Sequence, residues 1–109
     1  MKIDFTKKES IAVLSLDGNL DASVAEKFKS TFENYAKESS NFVIDMSKVG
    51  FIDSTGLGKI VSALRTVTVN NGDLKLAGIN DEVMMVFQIT RAYKIFDIYD
   101  SVDEAVKSF

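Results

Sequence analysis

The 109-residue chain contains no cysteine and no histidine. The first absence excludes disulfides, thiol nucleophiles and thiolate metal sites. The second removes the commonest general base and the commonest metal ligand, so Ser–His–Asp chemistry cannot be assembled. Proline is missing too, and no stretch has the composition of a linker, a repeat or a low-complexity tract. Basic charge is in deficit: 13 Lys and Arg face 16 Asp and Glu, a net charge of -3. That balance opposes a nucleic-acid partner, which needs a basic face against its phosphates. No apolar run approaches the length of a membrane span. The start, MKIDFTKKES, lacks the apolar core of a signal peptide. These deficits lead to an expectation of a cytoplasmic protein with no metal, no cofactor, no direct nucleic-acid contact and no membrane insertion.

What is present suits one core. The chain is 46% hydrophobic and 27% charged, as in an ordinary globular protein, and its length predicts a single domain over residues 1–109. Ile3 and Phe5 alternate with polar neighbours, a strand period. After the polar break Lys7 to Ser10, IAVLSLDG reads as a second strand, and the short break predicts an antiparallel hairpin. Over residues 22–38 the period changes: Ala25, Phe28, Phe32 and Tyr35 or Ala36 form one apolar stripe, predicting helix 1. Asp21 or Ser23 can cap it, and Ser23 with Glu26 fits a capping box. Phe42 to Met46 predicts a buried, central third strand. Residues 55–69 predict helix 2, with Leu57, Ile60, Val61, Leu64 and Val67 or Thr68 inward, stopped at Asn71-Gly72. Leu74 to Ala77 is a fourth strand. Asp81 caps helix 3, with Val83, Met84 and Phe87 on one side. Ile95 to Tyr99 is a candidate fifth strand, and Ser101 caps a last helix carrying Val102, Ala105, Val106 and Phe109. Strands alternating with helices imply an α/β fold: a mixed sheet of four or five strands with about four helices packed on it.

The chemistry-bearing residues gather at FIDSTGLG, where strand 3 gives way to helix 2. One reading is a plain helix start, because Asp53, Ser54 and Thr55 all have side-chain oxygens that accept free backbone N–H groups. The other begins from the same geometry. A hydroxyl at a helix N-terminus lies at the positive end of the helix dipole, which favours an anion, including an attached phosphate. A phosphoserine there would carry a charge of about −1.5 to −2 and change the surface while leaving the fold intact.

The stretch FVIDMSKVGFIDSTGLGKIV resembles the signature segment of STAS domains, and more narrowly that of anti-sigma factor antagonists of bacterial stress and sporulation switches. Asp45 stands for the acid that ends the strand, Phe51-Ile52 for the apolar pair, and Asp53-Ser54-Thr55-Gly56-Leu57-Gly58 for the D-S-[ST]-G-L-G signature. Upstream, Gly18, Leu20 and Asp21 match a G-x-L-D segment. Downstream, GDLKLAGI and SVDEAV also fit, so the resemblance spans nearly the whole chain. It implies that Ser54 is phosphorylated. It further implies partner switching: the unmodified protein binds an anti-sigma factor that is also a serine kinase, phosphorylation breaks the complex, and a serine phosphatase resets it. On that reading the chain is a kinase substrate and binding module, not an enzyme; the sequence leaves oligomeric state open, and a monomer is the default expectation.

Candidate partner-binding residues are Asp21, Asp53, Ser54, Thr55, Gly56, Gly58, Lys59, Ser62 and Arg65. Thr55 is a first-turn residue and a second candidate hydroxyl. Asp53 either positions the kinase or holds the loop, or simply caps helix 2, and Asp21 either shapes the binding surface or caps helix 1. Gly56 and Gly58 would keep the top of helix 2 flat for a partner. Gly58 is the more telling, since glycine inside a helix costs up to about 1 kcal/mol against alanine. Lys59, Ser62 and Arg65 form an outward stripe, open to solvent or to a partner. One departure from the family stands after helix 3. A T-G-L type step is replaced by Thr90-Arg91-Ala92, so that either Arg91 takes a backbone conformation suited to glycine or the helix runs on. Two other function classes are open to such a chain. One is a free-standing STAS subunit of an ABC-type lipid-transport complex. The other is a small α/β enzyme, against which stands the lack of any paired-carboxylate or phosphate-loop motif. Asp97, Asp100, Asp103 and Glu104 do not match a calcium loop.

Overall fold

Alternating residues build β1 (Lys2–Lys8), which turns back through Glu9 and Ser10 into β2 (Ile11–Asp17). Both turn residues have positive φ, 52° and 70°. That is the turn twist that suits an antiparallel hairpin, and β1 and β2 pair from Lys2↔Asp17 to Lys8↔Ile11. The computed structural model describes all of residues 1–109. The chain continues through α1 (Ala25–Ala36), β3 (Asn41–Lys48), α2 (Ser54–Val69), β4 (Asp73–Ala77) and α3 (Asp81–Ile89). A 3-10 turn (Ala92–Lys94), β5 (Asp97–Tyr99) and α4 (Val102–Lys107) complete it. The five strands lie in sequence order, with β1–β2 antiparallel and all later pairs parallel. β3, the most continuously apolar strand, is central and carries four fully buried side chains.

Side chains alternate across a strand, so the sheet has two apolar faces. Leu14, Ile44 and Leu76 meet Phe28 and Phe32 of α1, Ile60 of α2 and Phe87 of α3 in the main core. Val13, Val43 and Ala77 point the other way, onto Ala105 and Val106 of α4. Lys75 is buried on that second face without a carboxylate partner. Its Nζ donates to the Ser108 hydroxyl (2.7 Å) and carbonyl (3.1 Å) and lies 4.5 Å from the Phe109 ring centroid. Phe109, read as part of the inward stripe of α4, is thus a partly exposed cover over a lysine.

Several local expectations are corrected. Helix 1 begins at Ala25, not near residue 22, and neither Asp21 nor Ser23 caps it. The Ser23 hydroxyl instead donates to the Asp21 carboxylate at 2.6 Å, a charge-assisted bond that takes it away from the helix end, and Glu26 reaches Lys59. The capping box therefore does not form. Helix 2 begins one residue early, at Ser54. Asn80, not Asp81, caps α3: its side chain accepts the Val83 N–H (2.8 Å), and Asp81 lies in the first turn. Val61 and Leu64 are only half-buried, Thr68 is exposed, and Ala63 takes the buried place between Ile60 and Val67. β5 is shorter than read, because Ile95 stays in the preceding turn, 53% exposed. At the end of α2, Asn71 takes the left-handed conformation (φ 62°), while a Cβ on Gly72 would overlap the Ser40 carbonyl.

Arg91 resolves the alternative posed by the sequence. The helix does not run on, and Arg91 sits in the left-handed region, φ 62° and ψ 17°. That conformation costs an L-residue about 1–2 kcal/mol, offset in part by the lower chain entropy of a non-glycine residue. Arg91→Gly is therefore expected to raise unfolding free energy by about 0.5–1 kcal/mol. The denaturant midpoint, at unchanged slope, is the measurement.

Candidate functional site

β2 and β3 run parallel, so the loops that follow them leave the same edge of the sheet. They are joined there. Leu20, fully buried, forms an isolated parallel bridge with Ile52: its N–H donates to the Phe51 carbonyl (2.9 Å) and its carbonyl accepts the Asp53 N–H (3.3 Å). Just before it, the Gly18 N–H donates to the Lys48 carbonyl at 3.1 Å. Gly56 closes the joint from the helix side, since a Cβ there would overlap the Leu20 carbonyl oxygen. The DSTGLG segment thus packs on the LDAS segment more than 30 residues upstream.

Asp53 is the N-cap of α2, with extended backbone at φ -105°. Its Oδ1 accepts the Gly56 N–H at 2.8 Å, and its Oδ2 accepts the Ala22 N–H at 3.0 Å. Ser54 follows as the first helical residue, exposed, with exposed Thr55 beside it. Helical spacing puts Ser54, Gly58 and Arg65 on one outward face with Ser62 at its margin. A Cβ at Gly58 would meet nothing within 4 Å, so no contact inside the chain calls for glycine there. The expected outward stripe holds for Ser62 and Arg65 but not for Lys59. Lys59 leans toward α1, its side chain 23% exposed, with Nζ 2.9 Å from the Glu26 carboxylate. The five-residue offset from Ser54 turns it to that side.

Asp21 stands at the mouth of the same edge. Its Oδ1 accepts the Ser23 hydroxyl (2.6 Å) and N–H (3.0 Å), closing a local turn. The Ser23 hydroxyl bond, aided by nearby backbone N–H groups, holds the Asp21 carboxyl below the usual aspartate range. Glu26 is lowered likewise, by its hydrogen bond to and charge attraction from Lys59. Asp21, Asp53, Ser54, Thr55 and Gly58 therefore share one small surface, with Phe51 (52% exposed) next to it. Ser62 and Arg65 do not share it: Arg65 lies about 16 Å farther along the helix axis at 1.5 Å per residue. Two links have no signal in the sequence, the Asp53–Ala22 bond and the Glu26–Lys59 pair. Both join residues more than 30 apart. No group of three or more acidic side chains is placed to hold a metal ion. No helix is long and apolar enough to cross a membrane.

Residues 2–105 match the STAS domain family. The chain belongs to that family. A Listeria monocytogenes anti-sigma-B factor antagonist is 37% identical over 82 residues, covering 74% of this chain and 72% of the relative. The anti-sigma-B factor antagonist of Bacillus subtilis is 26% identical over 98 residues, 90% of each chain. Among solved structures, a candidate anti-sigma factor antagonist of Thermotoga maritima superposes with a TM-score of 0.91 at 27% identity, covering 97% of this chain and 92% of that one. The antagonist SpoIIAA, solved unphosphorylated and phosphorylated, shares the fold at 17% identity, with TM-scores of 0.74 and 0.75. The expected STAS architecture, a mixed sheet with four helices, is the one found.

The two signature glycines should separate on mutation. Gly56→Ala forces α2 away from Leu20 and should cost about 1–3 kcal/mol, as overpacking does. Gly58→Ala removes a helix-interior glycine with free space around it and should stabilise by up to about 1 kcal/mol. Thermal or denaturant unfolding of the two variants checks both signs. For Asp21, a depressed folded pKa means a contribution to stability that is complete above the unfolded value and is lost as pH falls through the folded one. An NMR titration of its side-chain carboxyl should have a midpoint below that of an unstructured aspartate, moving back up in Ser23→Ala.

Proposed function

We propose that this chain is an anti-sigma factor antagonist, switched by phosphorylation of Ser54. In its unmodified form it binds an anti-sigma factor with serine-kinase activity, which frees the sigma factor. The Ser54 hydroxyl oxygen then attacks the γ-phosphoryl group of ATP held by that kinase. ADP leaves, and the hydroxyl proton passes to a base of the kinase. A serine phosphatase hydrolyses the phosphoserine and restores binding. The chain itself acts as a monomeric binding module and substrate, contacting neither nucleic acid nor the membrane interior.

The observation that carries this reading is the setting of Ser54. It is the exposed first residue of α2, one turn before a glycine that the fold does not need, on a surface shared with Asp21 and Asp53. Missing atoms at Gly58 give a partner close access to the hydroxyl. The names of the relatives at 37% and 26% identity support the same partner class. Phosphate at the N-terminus of α2 is tolerated by the helix dipole, but next to Asp53 it presents a doubled negative charge to whatever packs there. A complex built around a neutral serine must then desolvate that charge or lose contact.

The test combines mass spectrometry and binding. One phosphoryl group on Ser54, formed with the anti-sigma factor and ATP and removed by phosphatase, is the expected result. Ser54→Ala should bind the anti-sigma factor but take no phosphate. Ser54→Asp should fold normally and bind at least about tenfold more weakly, since like charge and desolvation at an interface cost upwards of a kcal/mol. Equal binding by Ser54→Asp would refute expulsion by charge. Constitutive capture of an ABC-type ATPase, with no phosphate in any growth condition, would replace this reading with the lipid-transport one.

A further inference from the structure

We propose that Asp53 is a positioning residue that clasps the β2–α1 loop to the β3–α2 loop, so that Asp21 and Ser54 meet a partner as one preformed surface. The proposal rests on the anti-sigma reading for its partner, though not for the clasp itself.

A helix cap needs one side-chain oxygen, and Asp53 uses Oδ1 for that, on the Gly56 N–H at 2.8 Å. Asn, Ser or Thr would cap as well. What a carboxylate adds is a second acceptor, and here Oδ2 takes the Ala22 N–H at 3.0 Å. The Ala22 N–H has no backbone partner. Its neighbours are tied only within their own turn: the Val24 N–H and the Ser23 N–H both return to Asp21. Beyond the Leu20–Ile52 bridge, the Asp53–Ala22 bond is therefore the hydrogen bond that fixes residues 21–24 against α2. Glu26–Lys59 is the next link, on an exposed carboxylate that is weak as a tether. A surface whose loops are already ordered loses less entropy on binding, so the clasp should act on affinity through preorganisation.

Two substitutions break the bond from opposite sides. Asp53→Asn keeps an oxygen for the cap and turns an amide N–H₂ toward the Ala22 donor. Ala22→Pro removes the donor and leaves the Asp53 charge in place. Ala22 is the second residue of the turn closed by Val24 N–H to Asp21 carbonyl, a position that favours proline.

The experiment is amide hydrogen exchange on the free chain, with affinity for the anti-sigma factor measured in parallel. In Asp53→Asn the Ala22 amide should exchange at least about tenfold faster while the Gly56 amide keeps its protection, as for an opened hydrogen bond beside an intact cap. Both variants should bind about tenfold more weakly, in step with a lost preorganisation. An Ala22 amide that stays protected in Asp53→Asn overturns the clasp. Weakened binding in Asp53→Asn with parental binding in Ala22→Pro also overturns it, and assigns Asp53 a direct charge contact with the partner. If the parent chain binds no anti-sigma factor, the functional reading fails, and the exchange data alone decide the clasp.

Discussion

The site depends on Leu20. Its buried side chain anchors the segment after β2 in the main core, and its two backbone groups pair with the segment after β3. Without that bridge the two loops would be separate excursions from the carboxyl edge of a parallel sheet, the edge where such folds place their functional loops. With it, they form one extension of the sheet beyond its last regular pairs. Gly56 is a consequence: α2 can start directly over the bridge only if its first turn has no side chain facing the Leu20 carbonyl. Asp53 follows as well: its N–H donates to the Leu20 carbonyl, which fixes the residue at the start of α2, where its Oδ1 accepts the Gly56 N–H and caps the helix.

Rigidity beneath the surface comes from the core. Leu57, Ile60, Ala63 and Val67 bury one side of α2 against the sheet and α1, so the outward face carrying Ser54 and Gly58 is a fixed surface, not a mobile loop. The opposite face of the sheet is organised independently around α4, with Lys75 held by the Ser108 carbonyl and hydroxyl and the Phe109 ring. The lysine is satisfied by dipoles and aromatic faces in place of a counter-ion, an arrangement that suits a partly desolvated ammonium.

Elements whose cause is local were legible in the sequence. Period-two alternation gave the hairpin, the apolar run of β3 gave its central place, and 3.6-residue stripes gave the helices. The D-S-[ST]-G-L-G signature marked the junction. What was not legible depends on contacts distant in the chain. Gly56 and Gly58 look alike in the sequence, yet one is required by Leu20, 36 positions away, and the other by nothing in the chain. The Ser23–Glu26 capping box is locally plausible. It loses because Asp21 offers Ser23 a charged acceptor and α2 offers Glu26 a lysine. Lys59 reads as surface by its type and turns out half-buried for the same reason. Arg91 shows the converse case: the helix ends where tertiary packing of Ala92 and Phe96 requires, whatever the local backbone preference.

The placement of cations on α2 bears on how a phosphate at Ser54 would act. The helix has two, Lys59 and Arg65. Lys59 is already neutralised by Glu26 at 2.9 Å, on the side facing α1. Arg65 is about 16 Å along the axis, twice the Debye length of about 8 Å at physiological ionic strength. Asp53, the nearest carboxylate in sequence, has both oxygens held by backbone N–H groups and cannot swing clear without releasing the cap or the Ala22 bond. A phosphate would therefore find the partial positive charge of the helix terminus, enough to let the fold keep its shape, but no side-chain cation of α2 to cancel its field outward. The added charge would be exported to the partner. A site built to retain a bound phosphate would place an arginine or lysine within reach of it; this surface holds its near lysine elsewhere, which is the arrangement expected where phosphorylation serves to repel.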